Sequence, residues 1–590
     1  MEAHQLKIAP PVSPDHPKAI INRELSWLNF ARRVLSLVED PDLPLLERLR
    51  FMGIVGMLHD EFFMKRMSGI KQQIRRGVEK LSVDGLTPKQ EFEACRNEVL
   101  SQAKILSRTL KEEMLPGLRK NGIPILDFSD LSKRQKKNLQ AYFRSSVLPI
   151  LTPLAVDAEH PFPFISNMGL NLAVEVSMKG KKSKRFVRIK VPGNRPRWVP
   201  LPEEKGFVPL EQIIAANLKD LFPNLKDIDG YFFRVTRGAE GESQEAQDLD
   251  YDYSNIQFIP GSIIQQVTNE LKARRFAGCV RLQVQEKMPK RLRQWLARQL
   301  DVDIQNIYET DRLLGLSDLM DFRIDDHEHL RYPIHQPITH ARLRNIDVHD
   351  SAAIFRCIRE GDMMLHHPYH NFDTSVVQFI RSAAIDPQVL AIKLTIYRTS
   401  SDSPIIRALT EAARRGKQVA VLVEVTARFD EAPNIAWGKL LEQEGVHVAY
   451  GVEKLKTHVK LALVVREESG KICRYLHVGT GNYHSGTARI YEDLGMLTCD
   501  VELCEDAAAV FNDLTGTPTH HEHGKMIVAP TTMRSRFTEM IRREAEHAKS
   551  GRPCGIRAKM NQLQDREIIK ELYQASQMGV PITLNVRGLC

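Results

Sequence analysis

Two short stretches of this 590-residue chain carry side chains suited to phosphoryl transfer. One is Lys456-Thr457-His458-Val459-Lys460, an H-x-K pattern; the other is Gly479-Thr480-Gly481-Asn482, a G-T-G-N pattern. An imidazole with a pKa of about 6.5 is largely neutral at pH 7 and is then a competent nucleophile. The oxygens around a phosphorus target need fixed cations; Lys460 offers one, and the forks of Arg398 and Arg428 match phosphate geometry. Gly479 and Gly481 let backbone N–H groups approach oxygen anions closely. Asp493 could orient His458 through a carboxylate–imidazole bond, or be solvated on a helix or loop. H-x-K alone is a weak signal: His523-Gly524-Lys525 repeats it at the end of a polar loop with no G-x-x-N behind it, and reads as incidental. The pairs His366-His367 and His335/His340 and the run His520-His521-Glu522-His523 lack tetrahedral zinc-ligand spacing and read as surface histidines.

The elements that must position these residues alternate. Val389–Tyr397 reads as a strand, Pro404–Arg415 as a helix stopped by Gly416, and Gln418–Val425 as a strand. Asn434–Glu444 is a helix stopped by Gly445, and Val446–Tyr450, Val459–Val465 and Ile472–Val478 are further strands. This predicts an α/β layer on a largely parallel sheet, with ligands at the carboxyl ends of strands. Arg398, Arg428 and the Gly479–Asn482 turn each follow a strand. His458 opens one instead, so its strand is expected to run antiparallel and reach the same edge. The pattern restarts with strand Gly555–Lys559, helix Asp565–Gln577 and strand Val580–Val586 before Arg587, a degenerate internal repeat.

Upstream, Asn22 to about Arg119 has helical periodicity, as in Leu25-Ser26-Trp27-Leu28-Asn29-Phe30. Residues 1–19 are Pro-rich, polar and expected to be frayed. A mixed α+β region follows over 122–336, with Lys179–Arg185 read as a solvated hairpin tip and Arg237–Tyr253 as a loop. The expected domains are therefore 20–121, 122–336, 337–518 and 519–590. With 42% hydrophobic and 27% charged residues the chain can bury several cores. A net charge of +9 permits an anionic substrate without demanding one. Eight scattered cysteines without a C-x-x-C pair point to a reducing compartment. Neither a signal peptide nor an apolar run of about 20 residues is present, so a cytoplasmic protein is expected, with peripheral inner-membrane association left open.

H-x-K followed by a strand pair and G-[ST]-x-N resembles the phospholipase D superfamily half-site, in which the histidine attacks phosphorus and the lysine and asparagine bind the oxygens. From Ile21 to Cys590 the chain resembles bacterial ATP-dependent polyphosphate kinases with phospholipase-D-like catalytic domains. The carrying segments include Arg23-Glu24-Leu25-Ser26-Trp27-Leu28-Asn29-Phe30, Asp60-Glu61-Phe62-Phe63-Met64, Ala391-Ile392-Lys393-Leu394-Thr395-Ile396-Tyr397-Arg398, Ala427-Arg428-Phe429-Asp430-Glu431 and His477-Val478-Gly479-Thr480-Gly481-Asn482-Tyr483. The resemblance implies a helical N-terminal domain, a head domain and two phospholipase-D-like domains, the second incomplete here. It implies reversible transfer of the ATP terminal phosphate to polyphosphate through a phosphohistidine at His458. It also implies nucleotide contacts from Tyr491 and Arg587, magnesium beside Arg398 and Arg428, and a homo-oligomer (dimer or tetramer), with no nucleic-acid partner. A guanidinium has no lone pair for a cation, so both arginines read as phosphate clamps beside a magnesium–phosphate complex.

Two departures stand out. The family asparagine that contacts nucleotide falls on Leu58, which has no amide, leaving His59 as the neighbouring substitute. The family also continues past Arg587 to a second histidine segment. His458 follows Arg428 by thirty residues, and the same offset from Arg587 falls beyond Cys590. This motivates an alternative reading as a truncated, non-catalytic remnant that binds polyphosphate or nucleotide. A phospholipase- or nuclease-type hydrolase is a third reading, opposed by the N-terminal and head-domain matches.

Overall fold

The computed structural model describes residues 13–590 apart from 178–183, 203–204, 224, 226–227, 239–262, 265–266, 269–276, 325, 399–402, 428–430, 452–454 and 517–521. The chain forms two compact units. One contains Met1–Tyr251, Lys272–Pro333 and Thr538–Cys590; the other contains Asp252–Leu271 and Ile334–Phe537. Among the described residues no helix is long and apolar enough to cross a membrane.

In the first unit, Asn22 starts helix α1 (Arg23–Glu39) by accepting the N–H groups of Glu24 and Leu25 at 2.9 and 3.0 Å. Those donors have no partner inside the helix. Leu28, Ala31, Leu35 and Val38 form its fully buried stripe. Each leucine contributes about 1.5–3 kcal/mol by leaving water. Helix α2 (Leu45–Phe62) and the helix Pro88–Thr109, opened by a capping box of Thr87 and Gln90, complete the expected helical region. His59 lies buried among these helices. Its Nε2 donates to Gln102 Oε1 at 2.9 Å, while Gln102 Nε2 donates to Leu28 O at 2.9 Å. His59 is therefore committed to helix packing and does not replace the amide missing at Leu58.

The strands β1 (Leu154–Val156), β2 (Leu170–Ser177), β3 (Lys184–Lys190), β6 (Ile228–Arg237), β7 (Cys279–Gln285) and β8 (Ile307–Thr310) form one sheet in the order β1-β3-β2-β6-β7-β8. A separate ribbon pairs β4 (Trp198–Pro200) with β5 (Phe207–Pro209). The expected tip Lys179–Arg185 and the loop Arg237–Tyr253 lie mostly outside the described residues. Asp60 of α2 joins helices to sheet. Arg234 of β6 grips its carboxylate at 2.8 and 2.6 Å, and Arg281 of β7 donates to the same carboxylate. All three residues are buried. Burial raises the carboxyl pKa, but the two guanidiniums outweigh it and hold Asp60 at about 2.

Near the C-terminal end of this unit, β16 (Ile556–Met560) and β17 (Ile582–Val586) run parallel across the helix Arg566–Gln577. This is the expected strand–helix–strand repeat. The expectation of a frayed N-terminus fails for residues 13–19: Ala19 O accepts the Tyr573 hydroxyl at 2.8 Å, and Asp15 pairs with Lys570 at 2.5 Å. Residues 1–12 lie outside the described residues.

The second unit is built on seven strands: β9 (Met363–His367), β10 (Val389–Ile396), β11 (Gln418–Val423), β12 (His447–Tyr450), β13 (Lys460–Glu468), β14 (Lys471–Gly479) and β15 (Asp493–Thr498). Their order is β12-β11-β10-β13-β14-β15-β9. Strands β10, β11 and β12 are parallel, but β13, β14, β15 and β9 are all paired antiparallel. The sheet is mixed rather than largely parallel. The reason is local: β13 and β14 are joined by Ser469-Gly470, both at positive φ (48° and 75°). Two residues make a hairpin and cannot cross over to a parallel strand. As expected, β13 runs antiparallel to β10.

Asp60→Asn would leave two buried guanidiniums uncompensated, and we expect a loss of about 3–5 kcal/mol in denaturant unfolding. The carboxyl pKa is depressed in the fold, so this contribution is full above the ordinary value of 3.8 and fades as pH falls through about 2. The stability difference between parent and variant should narrow over that window.

Candidate active site

Lys460 stands opposite Gly479 across β13 and β14, and Gly479 stands opposite Gly495 across β14 and β15. This register sets the H-x-K segment beside the Gly-Thr-Gly-Asn turn. Two residues pin the segment. The Thr395 hydroxyl of β10 donates to Val459 O at 2.8 Å and accepts the Leu461 N–H at 3.1 Å. The buried carboxylate of Glu424, just past β11, accepts the Thr457 N–H at 2.7 Å and the Thr426 N–H at 2.7 Å. Asn434 ties the same strand ends together, donating to Tyr397 O at 2.9 Å and Glu424 O at 2.8 Å.

His458, Lys460 and Arg398 gather around one ring, that of Tyr397. The imidazole meets it edge-on at 5.0 Å between centroids. Lys460 Nζ lies 5.1 Å and Arg398 Cζ 5.7 Å from its centroid. His458 is exposed, whereas Lys460 is buried and its ammonium donates to His458 O. Partial burial, then the charges of Lys460 and Arg398, hold the His458 pKa below its ordinary value. The imidazole is therefore neutral at pH 7, the form that can attack. Burial also draws the Lys460 pKa down to about 8; Asp493 opposes the shift and Arg398 adds to it. At pH 7 the ammonium keeps its charge.

The turn is fitted around Asp493. Thr480 Oγ1 donates to Asp493 Oδ1 at 2.8 Å and accepts the Leu494 N–H at 3.0 Å. A Cβ on Gly481 would sit 2.9 Å from the Asp493 side chain. Asp493 thus bonds to Thr480 and bears on Lys460 through charge. The expected carboxylate–imidazole bond to His458 is not formed, because Asp493 begins a strand two places away from β13, with β14 between them. Beneath the turn lies His477, buried and hydrogen-bonded through Nδ1 with the Tyr483 hydroxyl at 2.9 Å. Burial, with His367 adding, takes its pKa down to about 3 and keeps it neutral. A Cβ on Gly495 would come 2.7 Å from His477 Nε2. Asn482 Oδ1, His367 Nε2 and His477 Nε2 are buried without a protein partner and line one cavity of about 10 Å³.

Comparison with known proteins bears directly on this arrangement. Four family models match in succession: polyphosphate kinase N-terminal domain over 20–126, middle domain over 134–322, C-terminal domain 1 over 353–520 and C-terminal domain 2 over 526–590. A polyphosphate kinase of Thermosynechococcus vestitus is 44% identical, covering 99% of this chain and 82% of the relative. One from Mycobacterium marinum is also 44% identical, over 97% of this chain and 77% of the relative. The chain belongs to the polyphosphate kinase family. The crystal structure of polyphosphate kinase from Porphyromonas gingivalis superposes with a TM-score of 0.81 at 27% identity, over 97% of this chain and 81% of that one. A phosphotransferase of this polyphosphate kinase fold accords with the helical, mixed α+β and α/β architecture expected from sequence, and nothing in the comparisons favours a non-catalytic remnant.

Of the residues singled out from this polyphosphate kinase sequence, the second unit brings together His458, Lys460, Arg398, Gly479, Gly481, Asn482 and Asp493. Tyr491, exposed by 47%, stands two residues before Asp493 at the entry to β15. Arg587 is exposed just after β17 in the first unit, and Arg428 lies outside the described residues. The second H-x-K copy is structural: Asp506 accepts the N–H groups of Gly524, Lys525 and Met526, while Asp500 pairs with Lys525 at 2.6 Å. His366 is partly exposed and bonds to Glu492 at 3.1 Å, but His367, expected at the surface, is buried with its Nδ1 on His370 O at 2.8 Å. Among the described residues, no three His, Cys, Asp or Glu side chains are grouped to hold a metal. His520 and His521 lie outside the described residues. Sequence reasoning missed Thr395, Tyr397, Glu424 and His477 as parts of the site. Glu424 carried a signal, a carboxylate near the end of the apolar run Val419–Val425.

Asp493→Asn removes the charge that supports the Lys460 ammonium, so Lys460 should lose its proton at lower pH. The alkaline limb of a kcat/KM profile, expected near the Lys460 pKa of about 8 in the parent, should move down in the variant. Gly481→Ala should push Asp493 off Thr480 and cut activity at least about tenfold, a 1 Å misplacement near chemistry being costly, with the melting temperature little changed.

Proposed function

We propose that this chain transfers the terminal phosphate of ATP reversibly to inorganic polyphosphate through a phosphohistidine at His458. The observation that carries the reading is the grouping of an exposed, neutral imidazole with the Lys460 and Arg398 cations beside the Gly479–Asn482 turn. An imidazole nitrogen attacks the γ-phosphorus, the bond to the bridging oxygen breaks and ADP leaves. A terminal oxygen of polyphosphate then attacks the same phosphorus, the P–N bond breaks and His458 returns neutral. Lys460 and Arg398 neutralise the equatorial oxygens, and Gly479, Gly481 and Asn482 offer the turn that receives them. Asp493 supports Lys460. Tyr491 suits stacking on the base, and Arg398, Arg428 and Arg587 suit phosphate.

The residues present suit a magnesium ion that arrives on phosphate oxygens, since Arg398 and Arg428 cannot ligate a cation. When bound it supplies charge neutralisation on the nucleotide. A homo-oligomer, resting on the family resemblance, and a cytoplasmic setting, resting on the cysteine pattern and the N-terminal sequence, complete the reading.

With γ-labelled ATP, His458 should take up an acid-labile, base-stable phosphate, and His458→Ala should take up none; equal labelling of the two would sink the assignment. Lys460→Met should slow labelling by about 10²–10³-fold, the scale of losing one oxyanion-stabilising group. It also removes a cation that depresses the His458 pKa, so the acid limb of the labelling rate should move to higher pH.

A further inference from the structure

Strand β3 of the first unit carries a cation with no compensating charge among the described residues. Arg188 pairs with Leu154 of β1 and Ala173 of β2 and is only 7% exposed. Its Nε donates to Asn171 Oδ1 at 2.8 Å, and Asn171 Nδ2 donates to Gly169 O at 2.7 Å. Among the described residues no carboxylate pairs with the guanidinium. Glu175, two residues along β2 from the Ala173 that faces Arg188, pairs with Arg291. Burial pushes the Arg188 pKa down and no opposing charge lifts it. A guanidinium keeps its proton, so a buried one without a counter-charge is costly unless an anion reaches it.

The surroundings favour such an anion. A cavity of about 460 Å³ opens on Arg188 and is also lined by Thr152, Lys190, Gly193 and Asn194. That volume falls in the range of roughly 300–1,000 Å³ common for ligand sites. Lys190, two residues along β3, projects from the same face. With Nε held by Asn171, the terminal N–H groups of Arg188 are left in the fork that bridges two oxygens of one phosphate. Thr152 and Asn194 add neutral donors. The described residues of the lining include no acidic side chain, no aromatic ring to stack a base and no nucleophile. Those absences select for phosphate over nucleotide, and for holding over reacting.

We propose that this cavity docks internal phosphoryl units of a linear polyphosphate chain between Arg188 and Lys190. The identity of the polyanion rests on the function proposed above; the anion site itself rests on the buried charge and the cavity. A polymer substrate held at a second place would stay bound while its end is extended, so the site would favour long chains over short ones.

The test compares the full chain with Arg188→Gln and Lys190→Ala. We expect each variant to bind long-chain polyphosphate at least about tenfold more weakly, with a shallower salt dependence. Tripolyphosphate dependence should change less. Lys190→Ala, an exposed change, should melt with the parent and label His458 from ATP at the parent rate. Line broadening of inorganic phosphate by ³¹P NMR should be lost in Arg188→Gln, which separates a discrete phosphate site from diffuse attraction. Should Arg188→Gln fail to fold, Lys190→Ala decides. Parent-like affinity for long-chain polyphosphate in every folded variant would overturn the proposal. If the parent itself takes no label from ATP while Lys190→Ala still weakens polyphosphate binding, the docking site stands and the phosphohistidine reading falls.

Discussion

Lys460 faces Gly479 because a two-residue turn at Ser469-Gly470 zips β13 to β14 without a bulge over nine paired positions. Everything at the candidate site hangs on that register. A slip by one residue would turn every side chain of β13 to the opposite face. The ammonium would leave Tyr397, and the cation beside His458 would be lost. The strand that follows makes the same demand, since Gly495 leaves room for the His477 ring only when it stands opposite Gly479. The surrounding sheet does the aligning.

Buried charge does three different jobs in this molecule. Asp60 satisfies two guanidiniums and joins elements. Glu424 turns its carboxylate to backbone N–H groups and fixes the segment that ends in His458. Among the described residues Arg188 has a neutral partner only, and it lines a cavity. The same cost of desolvation lies behind all three, and what differs is where the compensation comes from: a side chain, the backbone or a ligand.

Much of this was legible from sequence because it depends on local order. Asn22 announces a helix start, Gly416 and Gly445 announce helix ends, and the repeat β16–helix–β17 follows from periodicity alone. The residues of the H-x-K and Gly-Thr-Gly-Asn segments could be placed together because both border strands. What escaped depends on pairing between distant strands. The Ser469-Gly470 dipeptide was visible, yet its power to make half the sheet antiparallel shows only when the hairpin is closed. Asp493 was assigned to the wrong partner because its distance from His458 along the chain says nothing of the strand that separates them. His59 and His367 looked like available imidazoles, and their commitment to Gln102 and to the His370 carbonyl is a matter of packing.

The Asp60 triad bears on how such a chain can be divided. The family description of the N-terminal region closes at residue 126, which invites treating the helices as a detachable module. Their acidic keystone, however, is shared with arginines on β6 and β7, far downstream in the chain. Cutting there would strand a carboxylate on one fragment and two unneutralised guanidiniums on the other. The boundary at residue 126 is thus no physical seam, since the Asp60 charges are neutralised across it. Recombination between relatives should respect the three charges as one heritable unit.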